Sequence, residues 1–149
     1  MQSVIIQPVR EDDFETWLLL WKEYQRFYDI NIPETVTLQT WARLLDPAEP
    51  MHALLAWHGD QVLGFAHSVY HRSTWTSADN CYLQDLFVAN AARGHGIGRA
   101  LIEHVYAQAK QNAAARVHWL THETNHTGRQ LYDRVAQRSG FIQYRKALT

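Results

Sequence analysis

Apolar positions divide this chain into short extended runs and four stretches with helical spacing. Val4-Ile5-Ile6-Gln7-Pro8-Val9 predicts a first strand. Asp12 or Asp13 can cap a helix on which Phe14, Trp17, Leu18, Trp21, Tyr24 and Tyr28 recur at helical spacing, until Asn31 and Pro33 break it. A shorter helix is expected over Thr37 to Leu45, before Pro47 and Pro50. Met51 to Trp57 and Val62 to Tyr70 flank Gly59-Asp60 and read as a hairpin. Ser73 to Asn80 is polar and predicts a loop, and Cys81 to Val88 a fourth strand. A helix opening at Ile97 should end near Lys110 to Asn112, with a fifth strand over Arg116 to Thr121. Asn125 starts another helix, bearing Leu131, Tyr132 and Val135 and running on to Gly140. Phe141-Ile142-Gln143-Tyr144 predicts a last strand.

The order β-α-α-β-β-β-α-β-α-β predicts a mixed sheet with helices on both faces, in the α/β or α+β class. No segment reads as a linker or repeat, and 149 residues suit one domain over 1–149. No apolar run reaches the ~20 residues of a membrane helix. The N-terminus lacks the basic start and cleavage site of a signal peptide. With a net charge of −1 and no basic block, nucleic-acid binding is not expected. The single cysteine, Cys81, has no internal disulfide partner, and a cytoplasmic setting fits it. Nine histidines raise a metal reading, but no Cys/His zinc spacing is present and no metal is expected.

The chemistry concentrates at Arg93-Gly94-His95-Gly96-Ile97-Gly98-Arg99, between the fourth strand and a helix. Such a turn aims free backbone N–H groups and the positive end of a helix at one point, a site for a pyrophosphate. A Walker-type loop would need a lysine after the glycines. The dinucleotide fingerprint would need a third glycine where Arg99 stands. The order Arg-x-x-Gly-x-Gly resembles that of the GNAT acyl-CoA N-acyltransferases.

A second segment, Asn125-His126-Thr127-Gly128-Arg129-Gln130-Leu131-Tyr132 with Gly140-Phe141 beyond it, is similar to that family's Asn, Leu-Tyr and Gly-Phe pattern. The stretch from Asp133 to Ser139 is longer than the family's, which predicts an extended helix. The resemblance covers essentially the whole chain. It implies a mixed, mostly antiparallel sheet and acetyl-CoA as co-substrate. It implies that Leu86, Phe87 and Val88, the loop 93–99, Asn125, Thr127, Gly128 and Tyr132 contact the cofactor. A backbone N–H near Phe87 or Val88 would polarise the thioester carbonyl. Asn125 would touch the pantetheine arm or cap its helix. Tyr132 would hydrogen-bond the departing thiolate; with a phenol near pKa ~10 and a thiol near ~8.5, full proton transfer is uphill by about 2 kcal/mol.

At the acceptor end an ammonium must be held and then deprotonated. Asp85, on the strand beside the expected thioester, is the best carboxylate, with His122, Glu123 or a water as other bases. Strand alternation places Leu83, Asp85 and Phe87 on one face and Tyr82, Gln84 and Leu86 on the other, unless a bulge intervenes. Tyr82-Leu83-Gln84-Asp85-Leu86-Phe87-Val88, with Trp75 in the preceding loop, resembles the diamine (spermidine/spermine) N-acetyltransferase branch, which carries Tyr-Leu-Glu-Asp-Phe-Phe-Val. That resemblance implies that Asp85 and Trp75 bind the cationic amine, a tryptophan face attracting an ammonium. Gln84 replaces the branch's glutamate, so a smaller diamine or an amino acid is easier to accept than a long polyamine. Tyr24 and Tyr28 end the helix that covers the acceptor site in the family. The leading expectation is therefore acetyl transfer to a small-molecule primary amine. The rivals are a protein lysine or N-terminal acetyltransferase and a non-catalytic acyl-CoA-binding module. A homodimer through the last strand is permitted by Phe141 to Tyr144.

Overall fold

The structure, a computed structural model, describes residues 3–149. Met1 and Gln2, the first residues of the stretch read above against a signal peptide, lie outside it. Its elements are β1 (Ile5–Pro8), α1 (Phe14–Phe27), α2 (Glu34–Leu45), β2 (Met51–His58), β3 (Gln61–His71), β4 (Asn80–Val88), α3 (Ile97–Gln111), β5 (Arg116–His118) and α4 (His126–Val135). Two compact units result: Met1–Trp119, with the sheet and α1 to α3, and Leu120–Thr149, with α4. Among the described residues no helix is long and apolar enough to cross a membrane.

In the first unit the sheet order is β1-β2-β3-β4-β5. Neighbours are antiparallel except β4 and β5, which run parallel. Leu55, Phe65 and Phe87 are directly opposed across three strands, so their side chains share one face. Trp17, Leu20 and Trp21 of α1 and Trp41 and Leu44 of α2 close over that face. Trp17 and Trp21 stack at 5.7 Å, and Trp17 meets Trp41 at 5.0 Å. The alternate residues Leu54, Ala56 and Ala66 are equally buried on the opposite face, and α3 contributes buried Leu101, Ile102 and Val105. The mixed sheet is thus covered on both sides, as the order of elements predicts.

Four departures from the sequence reading exceed one residue. First, α2 begins at Glu34, because Pro33 has no N–H to lose and its carbonyl accepts from Thr37 N at 3.0 Å. Second, β5 ends at His118, its last pairing with β4. Third, the helix expected to extend through Ser139 stops at Val135. Ala136 donates a last helical bond to the Tyr132 carbonyl and then turns extended. Beyond it Gln137-Arg138-Ser139-Gly140 offers no apolar residue for a helix to bury. Fourth, the strand expected at Phe141 to Tyr144 does not form: 136–149 has neither helix nor strand, and among the described residues no strand pairs with 141–144. Its β-favouring side chains stay exposed, Phe141 at 79% and Tyr144 at 89%. A strand needs a ladder partner, and side-chain type does not supply one.

Two histidines of the sheet carry a pH consequence. His52 of β2 lies edge-on to Tyr70 at 5.4 Å, and His118 of β5 stacks on Tyr82 at 5.1 Å. Burial lowers both pKa values below the ordinary 6.5; for His118 the nearby His71 and Arg116 act in the same direction. Below about pH 6.5 the unfolded chain binds more protons than the folded one, so stability is full above that pH and is lost as the pH falls. The melting temperature should hold steady from about pH 8 to about pH 7 and decline from about pH 6.5 downward. The double variant His52→Gln/His118→Gln should show a shallower decline, and an unchanged slope would contradict this account.

Candidate active site

The site begins with an irregularity in β4. His67 of β3 opposes Asp85, but Ser68 opposes Leu83, so Gln84 is an extra residue on β4. This bulge reverses the alternation on one side of itself. Leu83 is thereby buried on the face opposite Asp85, while Tyr82, paired with Val69, joins Asp85 and Phe87 on the face toward α1. The regular alternation, which grouped Leu83 with Asp85, is corrected on this point. Gln84 itself points out and is exposed.

Asp85 sits beneath the end of α1. Tyr24 donates its hydroxyl to Asp85 Oδ1 at 2.7 Å, and His67 Nδ1 lies 2.9 Å from Oδ2. The Asp85 side chain keeps 15% of its exposure, so the carboxylate is sheltered but reachable. Burial first, then the Asp85 charge, pushes the Tyr24 phenol far above its ordinary value. It remains a donor at every working pH. Tyr28 is raised by the same two causes, with Arg93 opposing. Tyr24 and Tyr28 meet at 4.9 Å, and Tyr24 packs edge-on against Phe65 and Phe87 at 5.6 and 5.9 Å. The result is one carboxylate at an aromatic wall, an arrangement that suits an organic cation.

Among the described residues β5 pairs with β4 only from Asn80 with Arg116 to Tyr82 with His118. Leu86, Phe87 and Val88 therefore keep one unpaired edge. On the other edge β3 comes very close: a Cβ placed on Gly64 would lie 2.5 Å from the Phe87 carbonyl oxygen. The chain then passes through a short 3-10 turn, Asn90–Ala92, into the loop Arg93-Gly94-His95-Gly96. Gly94 and Gly96 have φ of +83° and +78°, and a Cβ at either would meet nothing within 4 Å. The backbone conformation, and not space, demands glycine there.

Gly96 caps α3 with no side-chain bond, and the first turn holds no acidic residue. The first amides of α3 are thus left for an anion. Ile97, 2% exposed, anchors the helix start, and His95 is exposed. Arg99 bonds Glu103 Oε1 at 2.9 Å. The Arg93 side chain turns back: Nε donates to the Val88 carbonyl at 3.1 Å, and its guanidinium lies over Phe27 at 4.6 Å and Phe87 at 5.6 Å. It ties the glycine loop to the end of α1.

In the second unit Asn125 caps α4. Its Oδ1 accepts from Gly128 N at 3.2 Å and its Nδ2 donates to Thr121 Oγ1 at 3.0 Å. A Cβ on Gly128 would run into this amide. Of the two roles expected for Asn125, the capping one is present. Thr127 is exposed on the first turn, and Tyr132 lies half-buried two turns from the helix start. His122 Nδ1 pairs with Thr124 Oγ1 at 2.7 Å, and the Glu123 backbone carbonyl accepts from Arg129.

Asp85, Tyr24, Tyr28, Phe87 and Arg93 are therefore brought together in the first unit. Trp75 is not among them: it is 79% exposed on the β3–β4 loop. His67 escaped sequence reading. Its one signal was position, two residues after Phe65 on a strand and so on the same buried face.

The first unit thus holds a glycine-rich helix start without a side-chain cap, a strand paired on β5's side only as far as Tyr82, and a sheltered carboxylate on that strand. Residues 9–136 match the Acetyltransferase (GNAT) family, and the chain belongs to that family of acetyl-CoA-dependent enzymes. It is 34% identical over 145 residues to the D-amino-acid N-acetyltransferase HPA3 of Saccharomyces cerevisiae, covering 96% of this chain and 90% of that protein. Its fold matches a probable acetyltransferase with a TM-score of 0.86 at 19% identity, over 97% of this chain and 98% of that one. It also matches AAC(6')-Iy, in complex with the bisubstrate analogue CoA-S-monomethyl-acetylneamine, with a TM-score of 0.84 at 18% identity over 98% and 99% of the two chains.

Gly96→Ala forces a side chain into left-handed backbone and should cost about 1–2 kcal/mol in urea melts. It should also weaken acetyl-CoA binding measured by calorimetry. Gly59→Ala, with φ of +60° in the β2–β3 turn, should cost a similar amount and leave binding unchanged. Equal binding losses in the two variants would remove the loop from the cofactor site.

Proposed function

We propose that this enzyme acetylates the primary amine of a small molecule, an amino acid or a short diamine, by direct transfer from acetyl-CoA within one domain over residues 1–149. The observation that carries this reading is the Asp85 carboxylate, held between Tyr24 and His67 on the part of β4 that β5 does not pair. An anion there attracts an ammonium, and the wall of Tyr24, Tyr28 and Phe87 accepts its alkyl chain. HPA3 is described as acting on D-amino acids, which supports an amino acid as acceptor.

Bound acetyl-CoA would supply the activated acetyl thioester. The backbone from Gly94 to Arg99 would hold its pyrophosphate, and a backbone N–H near Phe87 or Val88 would polarise the thioester carbonyl. Asp85 holds the amine, which must lose a proton before it attacks; the base is Asp85, His122, Glu123 or a water. Tyr132 is assigned as hydrogen-bond donor to the leaving thiolate, a role that rests on the family pattern around it. Cys81 supports direct transfer: it is fully buried, and burial raises its thiol pKa. We assign Gln84 and Trp75 to substrate binding, and Asn125, Thr127 and Gly128 to cofactor binding, on the family pattern.

We also place the enzyme in the cytoplasm, which the unpaired cysteine favours. A homodimer is favoured by the exposed Phe141, Ile142, Tyr144 and Leu148.

The test is thiol release from acetyl-CoA over a panel of putrescine, spermidine, lysine, D- and L-amino acids, thialysine and a histone peptide. Turnover of one small amine is expected. Asp85→Asn should lower kcat/KM for it by roughly 10- to 100-fold with acetyl-CoA affinity unchanged. Tyr132→Phe should lower kcat and leave that affinity alone. Turnover of the peptide alone would replace the small-molecule reading with a protein acetyltransferase.

A further inference from the structure

One buried chain of hydrogen bonds ends at Asp85 and includes a residue the family pattern does not mark. Trp17 Nε1 donates to His67 Nε2 at 2.9 Å, and His67 Nδ1 faces Asp85 Oδ2 at 2.9 Å. An indole N–H can only donate, so His67 Nε2 must be the accepting nitrogen. The ring proton then sits on Nδ1 and is donated to Asp85. Trp17 is fully buried and His67 is 4% exposed. The imidazole is packed against Phe65 at 4.5 Å, Trp21 at 5.2 Å and Trp17 at 6.0 Å. Ring rotation has no room, and the tautomer has no alternative partner.

The consequence for Asp85 follows from counting lone pairs. Tyr24 occupies one on Oδ1 and His67 one on Oδ2. Each oxygen keeps a second lone pair, and the side chain retains 15% of its exposure, so a donor from outside can reach it. We propose that His67, locked by Trp17, is the positioning residue of the acceptor site: it fixes the Asp85 carboxylate in the orientation that receives the substrate ammonium. His67 does not relay the proton the amine loses, because the lone pair on Nε2 is already used by Trp17. The chain ends in a tryptophan and leads nowhere. This inference rests on the reading of Asp85 as the amine anchor.

The test uses D-methionine and putrescine as acceptors, with Asp85→Asn, His67→Leu, His67→Asn and Trp17→Phe. In His67→Leu the amine KM should rise about tenfold or more, with kcat within about threefold and the acetyl-CoA KM unchanged. His67→Asn puts an amide N–H where Nδ1–H was and should restore most of the amine KM. Trp17→Phe frees the tautomer and should raise the amine KM by a smaller factor. A residue that merely supports the fold would instead lower kcat, through loss of active enzyme, and leave both KM values alone; that result overturns the inference. If Asp85→Asn raises the amine KM and His67→Leu does not, the inference fails while the acceptor reading stands. If neither variant changes it, the acceptor reading fails first. Nitrogen-15 NMR of the wild-type imidazole gives a readout without turnover: a protonated Nδ1 and a bare Nε2 are expected, and the opposite tautomer overturns the proposal.

Discussion

A carboxylate set among aromatic side chains must have its oxygens satisfied by donors that stay put, and Asp85 is the group on which this architecture turns. Its two donors come from different elements, Tyr24 from α1 and His67 from β3. His67 is in turn fixed by Trp17, about two turns further back on the same face of α1. Helix α1 thus grips β4 at both ends of a hydrogen-bonded arc, and the stacked tryptophans that bury it also set the geometry of the charge. Packing and chemistry cannot be separated here. A side chain that loosened α1 would loosen the carboxylate with it.

The stretch from Leu86 to Gly96 depends on backbone in place of side chains. The free edge of β4 arises because β5 pairs with it for only three residues, and the loop that follows is held open by two left-handed glycines. Gly64 lets β3 approach the Phe87 carbonyl from the other edge. Arg93 connects the two halves, its guanidinium spread over Phe27 and Phe87 while its Nε holds the Val88 carbonyl. The Asp85 carboxylate on β4 and the glycine loop that follows that strand therefore lie within one short stretch of chain, 85–96.

Much of this was legible along the chain. Helical spacing placed Trp17, Trp21 and Tyr24 on one stripe of α1, and the Gly-x-Gly pattern marked the left-handed turn, because both are local consequences of residue type. Asp85 was singled out by its place on the fourth strand. His67 was passed over, because an imidazole on a strand looks the same whether it is buried filler or a ligand to a carboxylate. Only the register of β3 against β4 tells them apart.

What the sequence by itself determined is the order of elements as far as α4, the glycine loop and the family they belong to, since hydrophobic period, turn chemistry and motif spacing are properties of neighbouring residues. Tertiary structure alone decided the bulge at Gln84, which exchanges Tyr82 and Leu83 between faces, and the Trp17–His67–Asp85–Tyr24 chain. It also decided that Phe141 to Tyr144, rich in strand-forming side chains, stays unpaired in this chain. These are contacts between residues far apart in sequence, and a strand, a bulge or a charged pair exists only when a second stretch of chain arrives to complete it.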